Sequence, residues 1–200
     1  ARAHGVSLMT ARHALEDLAD AGLVTRKPGV GTFVAPPRIH FNKLVGFTEQ
    51  MASRGFVPLS RLLSTAVVDD QHDVAARLAL PAGSALVKVQ RLRLGNTEPF
   101  ALETCYLDAQ RFSGILQQPL DRRSLFHTLE GEYQLRLAYA DEEVDATSAD
   151  ARTADLLSVK RGAPLLRIRQ LLYCTAARPL VYSLALYRSD RHSLLVRRFR

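Results

Sequence analysis

Two arginines one residue apart, Arg91 and Arg93, sit in the run VKVQRLRLG, whose alternating apolar residues read as a β-strand. Side chains two apart on a strand project to the same face, so both guanidinium groups are expected side by side on a sheet. Two planar, permanently charged forks suit a phosphate or a carboxylate. Gly46, Phe47 and Thr48 open a helical run, and the free N–H groups of a helix start offer a further source of anion affinity. The competing use of Arg91 and Arg93 is a pair of exposed ion pairs with acids across the sheet, which would contribute little.

A second group of polar residues lies near the start of the chain, in GVSLMTARHALEDLADAGLVTRKPGVGTFV, residues 5–34. Gly5 can reverse the chain and Ser7 can cap a helix. Met9, Ala11, Ala14, Leu15, Leu18 and Ala19 then recur at helical spacing to about Asp20, and Gly22 stops the helix. Leu23–Thr25 and Thr32–Val34 read as two strands around the turn residues Lys27, Pro28, Gly29, Val30 and Gly31. Turn, helix and two-stranded wing make a winged-helix pattern. Its helix would present Ser7, Thr10 and Arg12 to phosphates and base edges of DNA, while Lys27, Gly29 and Gly31 bring the wing close to a neighbouring phosphate or the minor groove. The blander alternative is an ordinary helix and hairpin with solvated polar residues.

Other chemistry finds little support. Six His are scattered at 4, 13, 40, 72, 127 and 192, and neither Cys105 nor Cys174 has a His or a second Cys at ligand spacing. No nucleophile constellation, metal motif or nucleotide-binding Gly-rich loop is evident, so neither enzyme nor metal or cofactor binding is expected. The two cysteines are expected to be reduced thiols of a cytoplasmic protein. No run of about 18 apolar residues suggests a membrane span, and no leader peptide is read.

These residues need two separate frames. The chain has 200 residues, 47% of them hydrophobic, the balance of a globular protein. Its net charge of +7 is unevenly spread: residues 1–45 carry 6 basic and 3 acidic groups, residues 46–187 carry 16 of each, and residues 188–200 carry 5 and 1. A domain is expected at 1–35, a stiff Pro-containing linker at 36–43, and a larger neutral domain at 44–200. In the larger domain, helices are expected at 47–55, 72–79, 109–116, 122–132 and 150–157, and strands at 60–69, 84–95, 99–107, 135–147, 164–174 and 178–188. That order implies an α+β fold, an antiparallel sheet with flanking helices.

Residues 5–34 closely resemble the recognition helix and wing of the GntR family of bacterial transcription regulators, whose usual text runs "GVSRxTVRxALxxLxxEGLLxRxxGxGTFV". Family members carry an earlier helix and the start of the helix-turn-helix, so the resemblance implies a partial winged helix-turn-helix and residues missing upstream of Ala1. Leu8 and Val30 depart from the family, standing where a basic residue is common.

Residues 44–200 resemble the effector-binding UTRA domain of the HutC subfamily, which has a chorismate-lyase-like fold. The texts GFTEQMASRG, VQRLRLGNTEPFALETCYL, RRSLFHTLEGEYQL and RPLVYSLALYRSDRHSLLV occur in the subfamily's order. In relatives that respond to sugar phosphates, the matching Arg-x-Arg and the helix start at Phe47 and Thr48 hold the phosphate. Ser124 and Phe126 match the Ser and Tyr of a phosphate-holding "SLY" motif, with the hydroxyl absent from Phe126. Glu103 matches an acid that accepts hydrogen bonds from ligand hydroxyl or amide groups; its other use would be an ion pair with Arg91 or Arg93. Tyr187 matches a ligand contact, with core packing as its alternative. Val181 stands where such relatives place a second acid, which argues against simply carrying amino-sugar phosphate over as the effector. Arg188 and Arg191 are expected to lock onto Asp residues.

The resemblance implies a DNA-binding regulator, expected to be a homodimeric repressor on a palindromic operator, controlled by a small anionic effector such as a sugar phosphate or a carboxylate. Two other readings stand beside it: a chorismate-lyase-like enzyme, and a ligand-binding module without DNA competence.

Overall fold

The computed structural model describes residues 5–20, 24–27, 29–34, 38–40 and 44–195. The chain divides into two compact units, one of residues 1–40 with 190–200 and one of residues 41–189. The expected helix stop at Gly22, the turn residue Pro28 and most of the expected linker lie outside the described residues.

In the first unit, α1 spans Leu8–Asp20. Ser7 begins it as expected: its Oγ accepts from the Thr10 N–H at 3.0 Å, satisfying one of the donors that a helix start leaves open. The strands β1 (Val24–Lys27) and β2 (Gly31–Val34) pair antiparallel, with Lys27 opposite Gly31. Val30 N donates to Lys27 O at 3.0 Å across the wing turn, where Gly29 takes φ 72°, a left-handed conformation that glycine adopts without strain. Arg26 ties wing to helix through Glu16 Oε1 at 3.4 Å and the Arg12 carbonyl at 3.3 Å. A short strand β3 (Arg38–His40) falls within the expected linker and pairs in parallel with Ser193–Leu195, the last strand of the chain.

The second unit is built on six antiparallel strands: β4 (Pro58–Val68), β5 (Leu86–Gly95), β6 (Glu98–Asp108), β7 (Leu137–Ser148), β8 (Pro164–Cys174) and β9 (Pro179–Arg188). Their spatial order is β4-β5-β6-β9-β8-β7; Ser193–Leu195 is β10. The helices are α2 (Phe47–Ala52), α3 (His72–Arg77), α4 (Leu125–Gly131) and α5 (Ala151–Leu157).

Strand alternation distributes the core over both faces. On one face Val87, Val89, Cys105 and Leu107 pack with Leu125 and Leu129 of α4. On the other, Leu92, Leu102 and Leu165 pack with Ala154 and Leu157 of α5, and Leu86 and Tyr106 pack with Ala75 of α3. Each of the Val and Leu side chains among them, fully buried, contributes about 1.5–3 kcal/mol. A sheet covered on both sides explains why β5 reads as almost continuously buried.

One expected element does not form. Residues 109–116 were expected to be helical, but Gly114 takes φ 85° and interrupts the run, leaving turns and a short 3-10 helix at Ile115–Gln117. Phe112 and Ile115 are nevertheless fully buried, so the apolar spacing marked packing positions rather than a helix.

Candidate functional site

The sheet face that carries α4 also carries Arg91, Arg93 and Glu103, because Arg91 pairs with Glu103 in the β5–β6 register and Arg93 follows two residues on. The two guanidinium groups are 2% and 3% exposed, so they are not the surface pairs of the alternative reading. Arg91 Nη2 donates to Glu103 Oε2 at 2.6 Å and its Nη1 to the Leu120 carbonyl at 3.4 Å. Arg93 Nη1 stands 3.9 Å from the same carboxylate oxygen, and its Nη2 donates to Thr48 Oγ1 at 3.4 Å. The Arg93 guanidinium lies 4.4 Å from the centroid of the Phe47 ring, a cation–π arrangement.

Two buried cations thus share one carboxylate. Arg91 Nε and Arg93 Nε and Nη1 are closed to solvent without a hydrogen-bond acceptor among the described residues. Burial drives the Glu103 carboxyl upward, but the charges of Arg91 and Arg93 outweigh it and hold the group below its ordinary value. Burial, helped by repulsion from Arg91, pulls Arg93 down to about 10 against the attraction of Glu103, so it stays charged at neutral pH. The cluster has spare donors and a positive excess, the requirements for receiving an anion. Cys105, beside it on β6, is pushed up to about 12 by burial and then by Glu103, which makes it an inert thiol.

Thr48 connects this cluster to an open cleft of about 700 Å³, which it lines together with Gly46, Arg123, Ser124, Phe126 and His127. The starts of α2 and α4 meet here: a Cβ at Gly46 would stand 3.4 Å from the Phe126 ring and 3.5 Å from Ser124 Oγ. Ser124 caps α4, accepting from the His127 N–H at 3.5 Å, which leaves its hydroxyl proton to donate. Tyr187 packs on Phe47, Met51 and Phe100, and burial raises its phenol, keeping it a neutral hydroxyl.

All eight residues expected at an effector site therefore fall in the second unit, around α2, the start of α4 and the strands β5, β6 and β9. Arg93 contacts Phe47, Thr48 and Glu103, and Glu103 also pairs with Arg91; Ser124 and Phe126 line the cleft with Thr48, and Tyr187 packs on the cluster of Phe47, Met51 and Phe100. Sequence reasoning missed the Leu120 carbonyl, Arg123 and His127. His127 lies three residues after the Ser124 cap, a spacing that marks the first turn of α4; no local signal announces Leu120.

The residues expected to face DNA are spread along α1 and the wing. Ser7 and Thr10 hydrogen-bond each other, Oγ to Oγ1, at 2.8 Å. Arg12 is exposed and pairs with Glu16 at 3.3 Å, one turn along. Lys27 Nζ lies 5.7 Å from the Phe33 ring centroid, and Gly29 and Gly31 form the exposed wing tip. Leu8 and Val30, the two departures from the basic pattern, are 79% and 69% exposed. Among the described residues no group of three or more His, Cys, Asp or Glu is placed to hold a metal. No described helix is long and apolar enough to cross a membrane.

Comparison with known proteins bears on both units. Residues 1–34 match the bacterial regulatory proteins of the gntR family, and residues 53–193 match the UTRA domain. The HTH-type transcriptional repressor NagR of Bacillus subtilis is 32% identical over 193 residues, covering 96% of this chain and 79% of that protein. The HTH-type transcriptional regulator GmuR of the same organism is 27% identical over 192 residues, covering 92% of this chain and 80% of its own. In fold, the crystal structure of PhnF from Mycobacterium smegmatis superimposes with a TM-score of 0.83 at 23% identity, over 98% of this chain and 88% of that one. NagR and GmuR are both transcriptional regulators, which sets aside the reading as a chorismate-lyase-like enzyme.

Proposed function

The chain belongs to the GntR family of bacterial transcription regulators and carries a UTRA domain, and from that premise we propose that it is a repressor whose operator affinity is set by a small anionic metabolite of the sugar-phosphate class. The observation that carries this reading is the buried Arg91–Arg93–Glu103 cluster, with three guanidinium nitrogens lacking an acceptor among the described residues. A phosphate monoester is close to doubly charged at pH 7 and supplies acceptors to all three. Thr48 and Ser124 add hydroxyl donors, and Glu103 keeps acceptor capacity for ligand hydroxyl groups.

Residues 1–35 form the DNA-reading head in this proposal, 36–43 the connection and 44–200 the effector domain, although residues 190–200 group with the first compact unit. Ser7, Thr10 and Arg12 contact phosphates and base edges, and Lys27, Gly29 and Gly31 the flanking backbone. A palindromic operator implies a homodimer with two heads. The protein works in the cytoplasm. The effector acts by binding one of two states more tightly, which is the only way a ligand shifts such an equilibrium.

The test is operator binding by the full-length protein, at fixed salt, across a panel of hexose phosphates, amino-sugar phosphates and urocanate. One class of compound is expected to release the operator, and Arg93→Ala is expected to abolish that release while leaving ligand-free operator binding intact. A panel without effect ends the sensor assignment. The exposed apolar Leu8 and Val30 favour a second reading, a head without DNA competence; in that case Arg12→Ala would leave DNA retention unchanged.

A further inference from the structure

A third guanidinium is turned away from water beside the cluster just described. α2 buries Phe47 and Met51, and Arg54 continues their stripe, since 47, 51 and 54 follow the i, i+4, i+7 spacing of one helix face. The helix has ended, but Arg54 N and Phe56 N both still donate to the Met51 carbonyl at 3.1 Å. Gly55, at φ 77°, turns the chain so that the Phe56 ring returns edge-on to Phe100, 5.2 Å between centroids. Arg54 is thereby bracketed by Met51 and Phe56, two members of the apolar cluster on which Tyr187 packs.

Nη1 and Nη2 of Arg54 are closed to solvent and meet no acceptor among the described residues. Arg93 lies at the opposite end of α2, against Phe47 and Thr48, with two unpaired nitrogens of its own. Burial penalises the Arg54 charge. A buried guanidinium without an acceptor is costly, and an acidic group arriving with a ligand would relieve it. Arg91 and Arg93 already share Glu103, so the site can take one anion there and a second at Arg54.

We infer that the effector site extends past Tyr187 to Arg54, and that its ligand is a small molecule with two separated acidic groups, one held by Arg91 and Arg93 and the other by Arg54. The two groups flank α2, a helix of six residues and about 9 Å in length. A phosphorylated sugar acid has this shape and charge, whereas a phosphorylated polyol offers only one of the two anions. The inference rests on the effector reading of the Arg91–Arg93 cluster.

Titration calorimetry on the intact chain with 6-phosphogluconate and glucitol 6-phosphate tests it, because these six-carbon compounds differ at the far end by a carboxylate against an alcohol. The acid is expected to bind about ten- to a hundredfold more tightly, the factor supplied by a hydrogen bond between charged groups. Arg54→Gln is expected to erase that preference while glucitol 6-phosphate binding persists; Arg54→Lys, which keeps the charge, retains part of it. Arg93→Ala weakens both ligands. Equal affinity of the unaltered protein for the two compounds, or a preference that survives in Arg54→Gln, overturns the Arg54 extension and leaves the Arg91–Arg93 site standing. If neither compound nor inorganic phosphate binds, the Arg91–Arg93 site fails and the extension with it. The comparison on the unaltered protein decides without any variant having to fold.

Discussion

Arg12 and Arg91 each pair with a glutamate, at 3.3 Å and 2.6 Å, yet the two pairs live in opposite physical regimes. The Arg12 side chain is 68% exposed and that of Arg91 is 2% exposed. Water and salt screen the first pair, so Arg12 can exchange Glu16 for another acceptor at little cost. The second pair is held where screening is weak, and losing either partner strands a charge in the interior. An exposed cation on a helix suits a large polyanion met through solvent; a buried one suits a small anion that is itself desolvated on binding. The two arginines thus fit the two halves of one proposed device, DNA at α1 and effector at the sheet.

The largest test of this contrast is Arg91→Ala. It strands Glu103, and unfolding free energy measured by urea is expected to fall by about 3–5 kcal/mol. Adding Glu103→Gln in the same chain should recover part of the loss, which a double-mutant cycle would measure; a loss as small as that of a surface pair would erase the contrast.

Acid should then act selectively on the buried pair. Although burial pushes Glu103 up, Arg91 and Arg93 hold it below its ordinary 4.5 in the folded chain. A depressed folded value means that the stabilisation is complete above the unfolded value of 4.5 and is lost as pH falls through the folded one. Stability measured from pH 6 downward is expected to drop below about 4.5, and less steeply in Glu103→Gln.

Smaller effects are expected in the head. Ser7→Ala removes the cap of α1 at a cost of about 1 kcal/mol, readable as faster hydrogen exchange of the first-turn amides. Smallest is Glu16→Ala, which should leave the melting temperature unmoved. Its counterpart Arg12→Ala, equally silent in melting, should lower the slope of log operator affinity against log salt by about one. A change in melting for Glu16→Ala would show that the exposed pair is more than a screened contact.

Features set by neighbours in the chain recur in the structure. Ser7 three residues before Thr10 announced a cap, and the cap is there. The strands expected at 84–95 and 99–107 leave Asn96 in the turn between them, and Asn96 does take a left-handed φ of 56°. Arg91 and Arg93 were placed on one face by strand periodicity alone, and both reach Glu103. The failures are of a different kind. The spacing of Phe112, Ile115 and Leu116 looked helical because periodicity reports which residues will be buried, and Gly114 decided the backbone instead. The parallel pairing of Arg38–His40 with Ser193–Leu195 joins segments at opposite ends of the chain and leaves no local trace.

The candidate site divides along the same line. Its residue types, their common sheet face and their resemblance to a known effector domain were present in the order of amino acids, because side-chain direction and turn preference are properties of a few adjacent residues. Which acid answers which arginine, how deeply the pair is buried, and that the Leu120 carbonyl meets Arg91 while Thr48 meets Arg93 were settled only by strand register and by the packing of α2 and α4 on the sheet. Burial and charge pairing arise between segments distant in sequence, and the desolvation that makes two ordinary arginines a candidate anion site exists only once those segments have closed over them.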